Sequence, residues 1–173
     1  MSNNNLSNKV AVVTGGADGI GEGIARTLWA RGARVIIADI QEEKGEALAG
    51  ELGVNASFAL LDVTDPSSWE RLVTELESSP GRLDILVNNA GGGGFGNLDQ
   101  LTIEEWRKIM ALNMDSVFLG CKAASALLQA DAGGSIINIS STNANRAWPM
   151  FSGYCAAKAG MTMFSKCVAQ HFL

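Results

Sequence analysis

VAVVTGGADGIGEG, residues 10–23, decides the fold. Val10 to Thr14 is a short, β-branched apolar run that stops at glycine, the pattern of a strand buried on both faces. Apolar residues then recur at helical spacing from Ile20 to Ala30. Gly15, Gly19 and Gly21 lie in the turn between them. Absent Cβ atoms let such a backbone touch a pyrophosphate, and the helix that follows offers free N–H groups and a positive dipole end. Glycine also serves any tight strand–helix turn, so the loop alone leaves both readings open.

Outward from this loop, strand-like and helix-like segments alternate to the end of the chain. Strands are predicted at Arg34 to Ala38, Ser57 to Leu61, Ile85 to Val87 and Ser135 to Ile139. Helices are predicted at Glu42 to Leu52, from Asp65-Pro66 to about Leu76, from Thr102 to about Ala130, and from Gly153 onward. Asp65 suits an N-cap and Pro66 the first helical position. Alternating order predicts an α/β fold, a doubly wound parallel sheet with helices on both faces. No repeat or linker interrupts residues 1–173, so one domain is expected.

Composition narrows the function. The chain has 173 residues, 47% hydrophobic and 18% charged, an ordinary globular balance. A net charge of −5 with no basic cluster excludes broad contact with nucleic acid or anionic membranes. No apolar run reaches the ~18 residues of a membrane span. The opening MSNNNLSNK lacks the apolar core of a signal peptide, so a cytoplasmic protein is expected. Cys121, Cys155 and Cys167 are odd in number and lack metal-like spacing, which suggests reduced thiols. His171 is the single histidine, so neither a histidine triad nor a metal site is expected.

Asp39 stands eighteen residues past Gly21, at the end of the second predicted strand. A carboxylate there can accept both ribose hydroxyls of NAD and would repel the extra phosphate of NADP. Asp18 adds a second negative charge, and neither position offers an arginine for that phosphate. The alternative for Asp39 is a cap on the following helix. Ile20 and Ile40, beside the loop and the acid, join the expected cofactor set. Near the end, YCAAK places Tyr154 and Lys158 four apart on one helical face. Alone, such a pair is more often a surface feature than a catalytic one.

Seven motifs in order resemble the short-chain dehydrogenase/reductases, from Lys9 to the end of the chain. They are TGGADGIG (14–21), Asp39, Asp62-Val63, NNAG (88–91), Asn113 in ALNMDSVF, NISS (138–141) and YCAAK (154–158). The resemblance implies a Rossmann sheet of order 3-2-1-4-5 and an NAD cofactor. It implies that Asp62 and Val63 hold the adenine, and that Asn88, Asn89, Ala90 and Gly91 cap the fourth strand beside the cofactor. Asn113 would keep a water in a proton relay, Ser141 would hydrogen-bond the substrate oxygen, Tyr154 would transfer the proton and Lys158 would hold the nicotinamide ribose. Ser141 is preferred to Ser140 because the family's serine stands thirteen residues before the tyrosine, as Ser141 does here.

The implied chemistry is physically consistent. Interconverting a secondary alcohol and a ketone moves one hydride and one proton, and the protein must manage the proton. A free tyrosine, with a pKa of about 10, is a poor base near neutrality. A lysine ammonium close by favours the phenolate. Apolar Trp148, Pro149, Met150 and Phe151 between the serine and the tyrosine favour a small apolar substrate, unless they merely pack under the loop. GGGFG, 92–96, could leave room for substrate or cofactor. Small residues such as Ala123, Ala124, Ala156 and Ala157 suit helix packing between subunits, and the resemblance implies a homodimer or homotetramer. It also implies further strands beyond CVAQHFL, so the chain reads as C-terminally incomplete with its fifth strand at a sheet edge. The expected activity is that of an NAD(H)-dependent oxidoreductase. The alternative is a truncated, inactive nucleotide-binding or interaction module.

Overall fold

The computed structural model describes residues 6–130 and 133–171. The opening residues 1–5 and the Phe172-Leu173 end of CVAQHFL lie outside the described residues. Five strands, β1 (Val10–Thr14), β2 (Arg34–Asp39), β3 (Ala56–Leu60), β4 (Ile85–Asn88) and β5 (Ser135–Asn138), form one sheet of order β3-β2-β1-β4-β5. Every pairing is parallel. The helices are α1 (Gly19–Ala30), α2 (Glu42–Leu52), α3 (Pro66–Ser78), α4 (Ile103–Met110), α5 (Ser116–Gln129) and α6 (Ser152–His171). The predicted fold class and strand order are those observed.

Successive strand residues face opposite sides of a sheet, and β1 divides accordingly. Val10 and Val12 join Ile36, Leu61, Trp69, Leu72, Leu86 and Leu128 in one core layer. Ala11 and Val13 join Val35, Ile37, Leu48, Leu52 and Val87 in the other. All five residues of β1 are buried, which is why its sequence is continuously apolar. Each fully buried Val or Leu contributes roughly 1.5–3 kcal/mol. The helix starts are set by side chains. Asp18 accepts from the Gly19 N–H, Asp65 from the Ser67 N–H with Pro66 in the first turn, and Thr102 and Glu105 form a capping box.

One prediction gains a detail. The helix expected from Thr102 to about Ala130 runs from Ile103 to Gln129, with a π-helical turn, Ala111–Asp115, between its α-helical parts α4 and α5. The cause is Asn113, whose side chain is turned inward and bonded to the chain around it. Smaller differences follow from the ladder rather than from hydropathy. β2 and β4 continue through polar Asp39 and Asn88, and β3 begins at Ala56 because Val35 pairs with it there.

At the amino end of the strands, Asp84 ties β1 to β4. Its carboxylate accepts from Lys9 Nζ at 2.8 Å, the Val10 N–H at 2.9 Å and Arg82 at 2.6 and 2.9 Å. The carboxyl ends of the strands are left to the loops that form the site.

Candidate active site

The glycine loop is shaped by contacts that forbid side chains. Gly15 adopts φ +60°, and a Cβ on Gly21 would collide with the Gly15 carbonyl oxygen and stand 2.5 Å from Asn89 Nδ2. Thr14 and Asn89 lock this turn to the end of β4. The Thr14 hydroxyl donates to the Val87 carbonyl at 3.3 Å and accepts the Asn89 and Ala90 N–H groups, both at 3.0 Å. Asn89 Nδ2 donates to the carbonyls of Thr14 (2.9 Å) and Gly15 (3.1 Å).

Asp39 is buried at the end of β2, yet it lines the cleft that opens above the loop. One carboxylate oxygen accepts the Ala17 N–H at 3.0 Å and the other the Gln41 N–H at 3.0 Å. The acid therefore joins the glycine loop to Gln41, the residue that precedes α2, and does not cap the helix itself. Its remaining lone pairs stay available on the cleft side. Asp62 is held in a turn by the Thr64 N–H and hydroxyl.

A cation missed in the sequence sits at this end. Lys44 Nζ pairs with Asp18 at 2.6 Å, both groups being largely exposed. The Lys44 hydrogen bond, followed by the Gly19 N–H and the Lys44 charge, holds the Asp18 carboxyl below its ordinary range. Asp18 raises Lys44 in turn, and Asp39 adds a smaller attraction. The available signal was position: residue 44 lies one turn into the helix that follows Asp39.

All the predicted cofactor residues except Gly19 line one cleft of about 510 Å³. Gly15, Asp18, Ile20, Gly21, Asp39 and Ile40 are at one end, Asp62 and Val63 beside them, and Asn89, Ala90, Gly91, Tyr154 and Lys158 further along. A glycine cradle, a helix N-terminus and a buried acid suit a dinucleotide. Asn113 and Ser141 do not line it; Gly92, Leu112, Ile139 and Ser140 do.

Asn113 is fully buried in the π-helical turn. Its Nδ2 donates to the carbonyls of Gly92 (2.9 Å) and Ile109 (3.0 Å), and its Oδ1 accepts the Gly92 N–H at 3.2 Å. Both amide hydrogens are spent on the backbone. The side chain clamps Gly92, the residue after NNAG, to α4. Tyr154 and Lys158 share a face of α6, with the Lys158 nitrogen 5.8 Å from the Tyr154 ring centroid. Lys158 is 4% exposed and donates to the Ile139 carbonyl at 2.9 Å, and burial lowers its pKa.

The two serines differ in what their hydroxyl hydrogens do. Thr162 Oγ1 donates to the Lys158 carbonyl at 2.9 Å, so at its 2.8 Å contact with Ser140 the serine must be the donor. Ser141 Oγ accepts the Asn143 N–H at 3.1 Å, and its own hydrogen is uncommitted. Among the described residues no group of His, Cys, Asp and Glu could hold a metal ion, and no helix is long and apolar enough to cross a membrane.

A dinucleotide-type cleft that ends in a Tyr–Lys pair defines a class, and comparison with known proteins identifies the family. The family model described as short chain dehydrogenase matches residues 9–173. The chain is 36% identical to the 3-beta-hydroxysteroid dehydrogenase of Comamonas testosteroni, covering 96% of this chain and 65% of that protein. It is 39% identical to the 2,5-dichloro-2,5-cyclohexadiene-1,4-diol dehydrogenase LinX of Sphingobium indicum, covering 98% and 69%. It is 40% identical to the 3-oxoacyl-[acyl-carrier-protein] reductase FabG of Escherichia coli, covering 96% and 68%. The solved structure titled "Crystal structure of gox2181" superposes with a TM-score of 0.93 at 31% identity, covering 97% of this chain and 68% of that one. The chain thus belongs to the short chain dehydrogenase family. It spans about two thirds of the length of these relatives.

Proposed function

We propose that the chain is the dinucleotide-binding and catalytic portion of an NAD(H)-dependent oxidoreductase that interconverts a secondary alcohol and a ketone. The observation that carries this reading is the shared cleft: the glycine loop and Asp39 at one end, Tyr154 and Lys158 further along it. The relatives' names support it, since a hydroxysteroid dehydrogenase, a diol dehydrogenase and an oxoacyl reductase all work on an alcohol or carbonyl group. A bound nicotinamide supplies the hydride chemistry. Gly15, Ile20 and Gly21 accommodate the pyrophosphate, Asp39 accepts the ribose hydroxyls, and Asp62 and Val63 border the adenine.

The chain's own residues manage the proton. Ser141 donates its free hydrogen to the substrate oxygen and polarises it. Tyr154 takes the alcohol proton in oxidation and returns it in reduction. Lys158, its nitrogen 5.8 Å from the Tyr154 ring centroid, would hold the nicotinamide ribose. Asn113 holds Gly92 and, through it, the floor next to Lys158; with its amide hydrogens spent, a relay water would be kept at one of its carbonyl oxygens.

NAD is favoured over NADP because a carboxylate at Asp39 would repel a 2′-phosphate and Lys44, the cation attracted to Asp39, is paired with Asp18. The exposed Phe118 and the half-buried Phe164 stack edge to face at 6.1 Å on the face shared by α5 and α6, which suits burial in a homodimer or homotetramer. Three free thiols, Cys121, Cys155 and Cys167, suit a cytoplasmic setting. The test is oxidation of secondary alcohols by NAD with the full chain. Tyr154→Phe should lower turnover by about 10²–10⁴-fold while leaving NAD(H) affinity near wild type. No NAD(H) binding by calorimetry, or wild-type turnover in the variant, would refute the reading.

A further inference from the structure

Four aromatic rings form a connected ladder beside the reactive end of the cleft. Phe151 is its hub. Its ring meets Phe95 at 5.4 Å and 81°, Trp148 at 6.1 Å and 67°, and Tyr154 at 6.3 Å and 67°. All three contacts are edge to face, the geometry that aromatic quadrupoles prefer. Yet the outer rings lie in solvent: Phe95 is 72% exposed and Trp148 57%. Two large aromatic surfaces left wet next to a catalytic tyrosine mark a binding surface.

The ladder is held by backbone, although its members come from separate loops. Gly96 and Phe151 form a parallel bridge, and the Gly96 N–H donates to the Met150 carbonyl at 3.0 Å. The Phe151 N–H donates to the Trp148 carbonyl at 3.0 Å. Below, a Cβ on Gly94 would collide with Ile109, and one on Gly153 would stand 3.2 Å from the same side chain. The glycines of GGGFG let that loop lie flat on α4, and Phe95 is the one residue in it that carries a side chain. Arg146, the one charged residue of segment 142–153, is exposed to solvent. The ladder thus offers ring faces and edges with no ion pair.

We propose that Phe95, Trp148 and Phe151 are the substrate platform, and that the substrate is a compact, uncharged alicyclic secondary alcohol or its ketone. This rests on the oxidoreductase reading above, because the platform is defined by its continuity with Tyr154. A rigid ring covers aromatic surface with little loss of conformational freedom, whereas an open chain must be ordered to do the same. A charged substituent laid on these rings would lose hydration and gain no ion pair from Phe95, Trp148 or Phe151 themselves.

The experiment has two arms on the full chain. With NAD, kcat/KM is measured for cyclohexanol, for open-chain 2-hexanol and for 4-hydroxycyclohexanecarboxylate. Without cofactor, saturation-transfer NMR reads contact between aromatic protons and cyclohexanone. We expect cyclohexanol to exceed each competitor by at least about tenfold, with discrimination of this size typical of shape and desolvation in an apolar site. Phe95→Ala and Trp148→Ala should each bring the cyclohexanol to 2-hexanol ratio toward one, chiefly through KM, and weaken the saturation signal; Phe95→Leu should recover part of the ratio.

A wild-type ratio near one, or variants that keep the wild-type ratio and signal, overturns the platform and leaves the oxidoreductase reading standing. Saturation that depends on Phe95 and Trp148, without oxidation of any alcohol, overturns the oxidoreductase reading and leaves an alicyclic-binding surface. Neither contact nor turnover overturns both. A loss of native mass in Phe95→Ala would show that a second copy covers these rings, and would overturn the platform as well.

Discussion

Asp84 and Asp39 are equally buried, at 5% exposure, and do different work. Burial pushes the Asp84 carboxyl up, but hydrogen bonds from Arg82, Lys9 and the Val10 N–H outweigh it and hold the pKa at about 2. A folded pKa below the ordinary 3.8 means that this stabilisation is present above about pH 4 and is lost as the pH falls toward 2. The linkage amounts to about 2 kcal/mol. Urea midpoints at pH 7, 4 and 2.5 should show that acid-side loss in wild type. Asp84→Asn should be less stable at pH 7 and have a flatter profile below pH 4.

Asp39 instead spends two lone pairs on the Ala17 and Gln41 N–H groups and faces the cleft with the rest. On the proposed NAD reading, discrimination against NADP would lean on Asp18 keeping Lys44 occupied. Asp18→Asn should free that ammonium and raise NADP affinity relative to NAD by about fivefold, the scale of an exposed ion pair. Equal selectivity in calorimetric titrations of the two cofactors would show that Lys44 plays no part. The serines provide a third test. Ser141→Ala should cost far more turnover than Ser140→Ala, because only Ser141 has a hydrogen to give; equal losses would contradict the assignment.

At the scale of elements, the joint between α4 and α5 is the informative one. Its π-helical turn exists because Asn113 bonds to Ile109 and Gly92 rather than facing solvent. Asn113→Ala would leave the Gly92 N–H and carbonyl unpaired, at a cost of about 1–3 kcal/mol. The Gly92 amide should then exchange faster with solvent and the urea midpoint should fall; unchanged Gly92 exchange would mean the clamp is idle. α5 also carries Cys121, buried between the sheet and α6. Burial pushes its pKa up to about 11, despite hydrogen bonds from Asn138 and Asn88. A thiol reagent at pH 8 should label Cys155 and Cys167 in the native chain, and Cys121 only after unfolding. Fast native labelling of Cys121 would contradict this packing.

Over the whole molecule, two surfaces stand out. Among the described strands β5 forms one edge of the sheet, opposite β3, and Ile137 on it is 45% exposed. Across α5 and α6, Phe118 and Phe164 sit beside a groove of about 390 Å³ that Cys167, Val168 and His171 also line. If that face is the subunit interface, Phe118→Lys should lower the native mass measured by light scattering while preserving the circular dichroism spectrum. An unchanged oligomer would move the interface elsewhere.

Much of this protein was legible in order along the chain. The alternation of strands and helices, the glycine loop and the position of Asp39 follow from local pattern, because buried parallel strands are continuously apolar and phosphate-type turns must lack Cβ atoms, whereas the strand order and the reading of Tyr154 and Lys158 came from the seven motifs taken together. Tertiary structure alone decided the rest. It set a π-helical turn into the long helix at Asn113, placed Lys44 against Asp18, distinguished Ser140 from Ser141 by what Thr162 accepts, and brought Phe95 onto Phe151. Each of these is a contact between segments distant in sequence, set by hydrogen-bond partners and packing that no local period encodes.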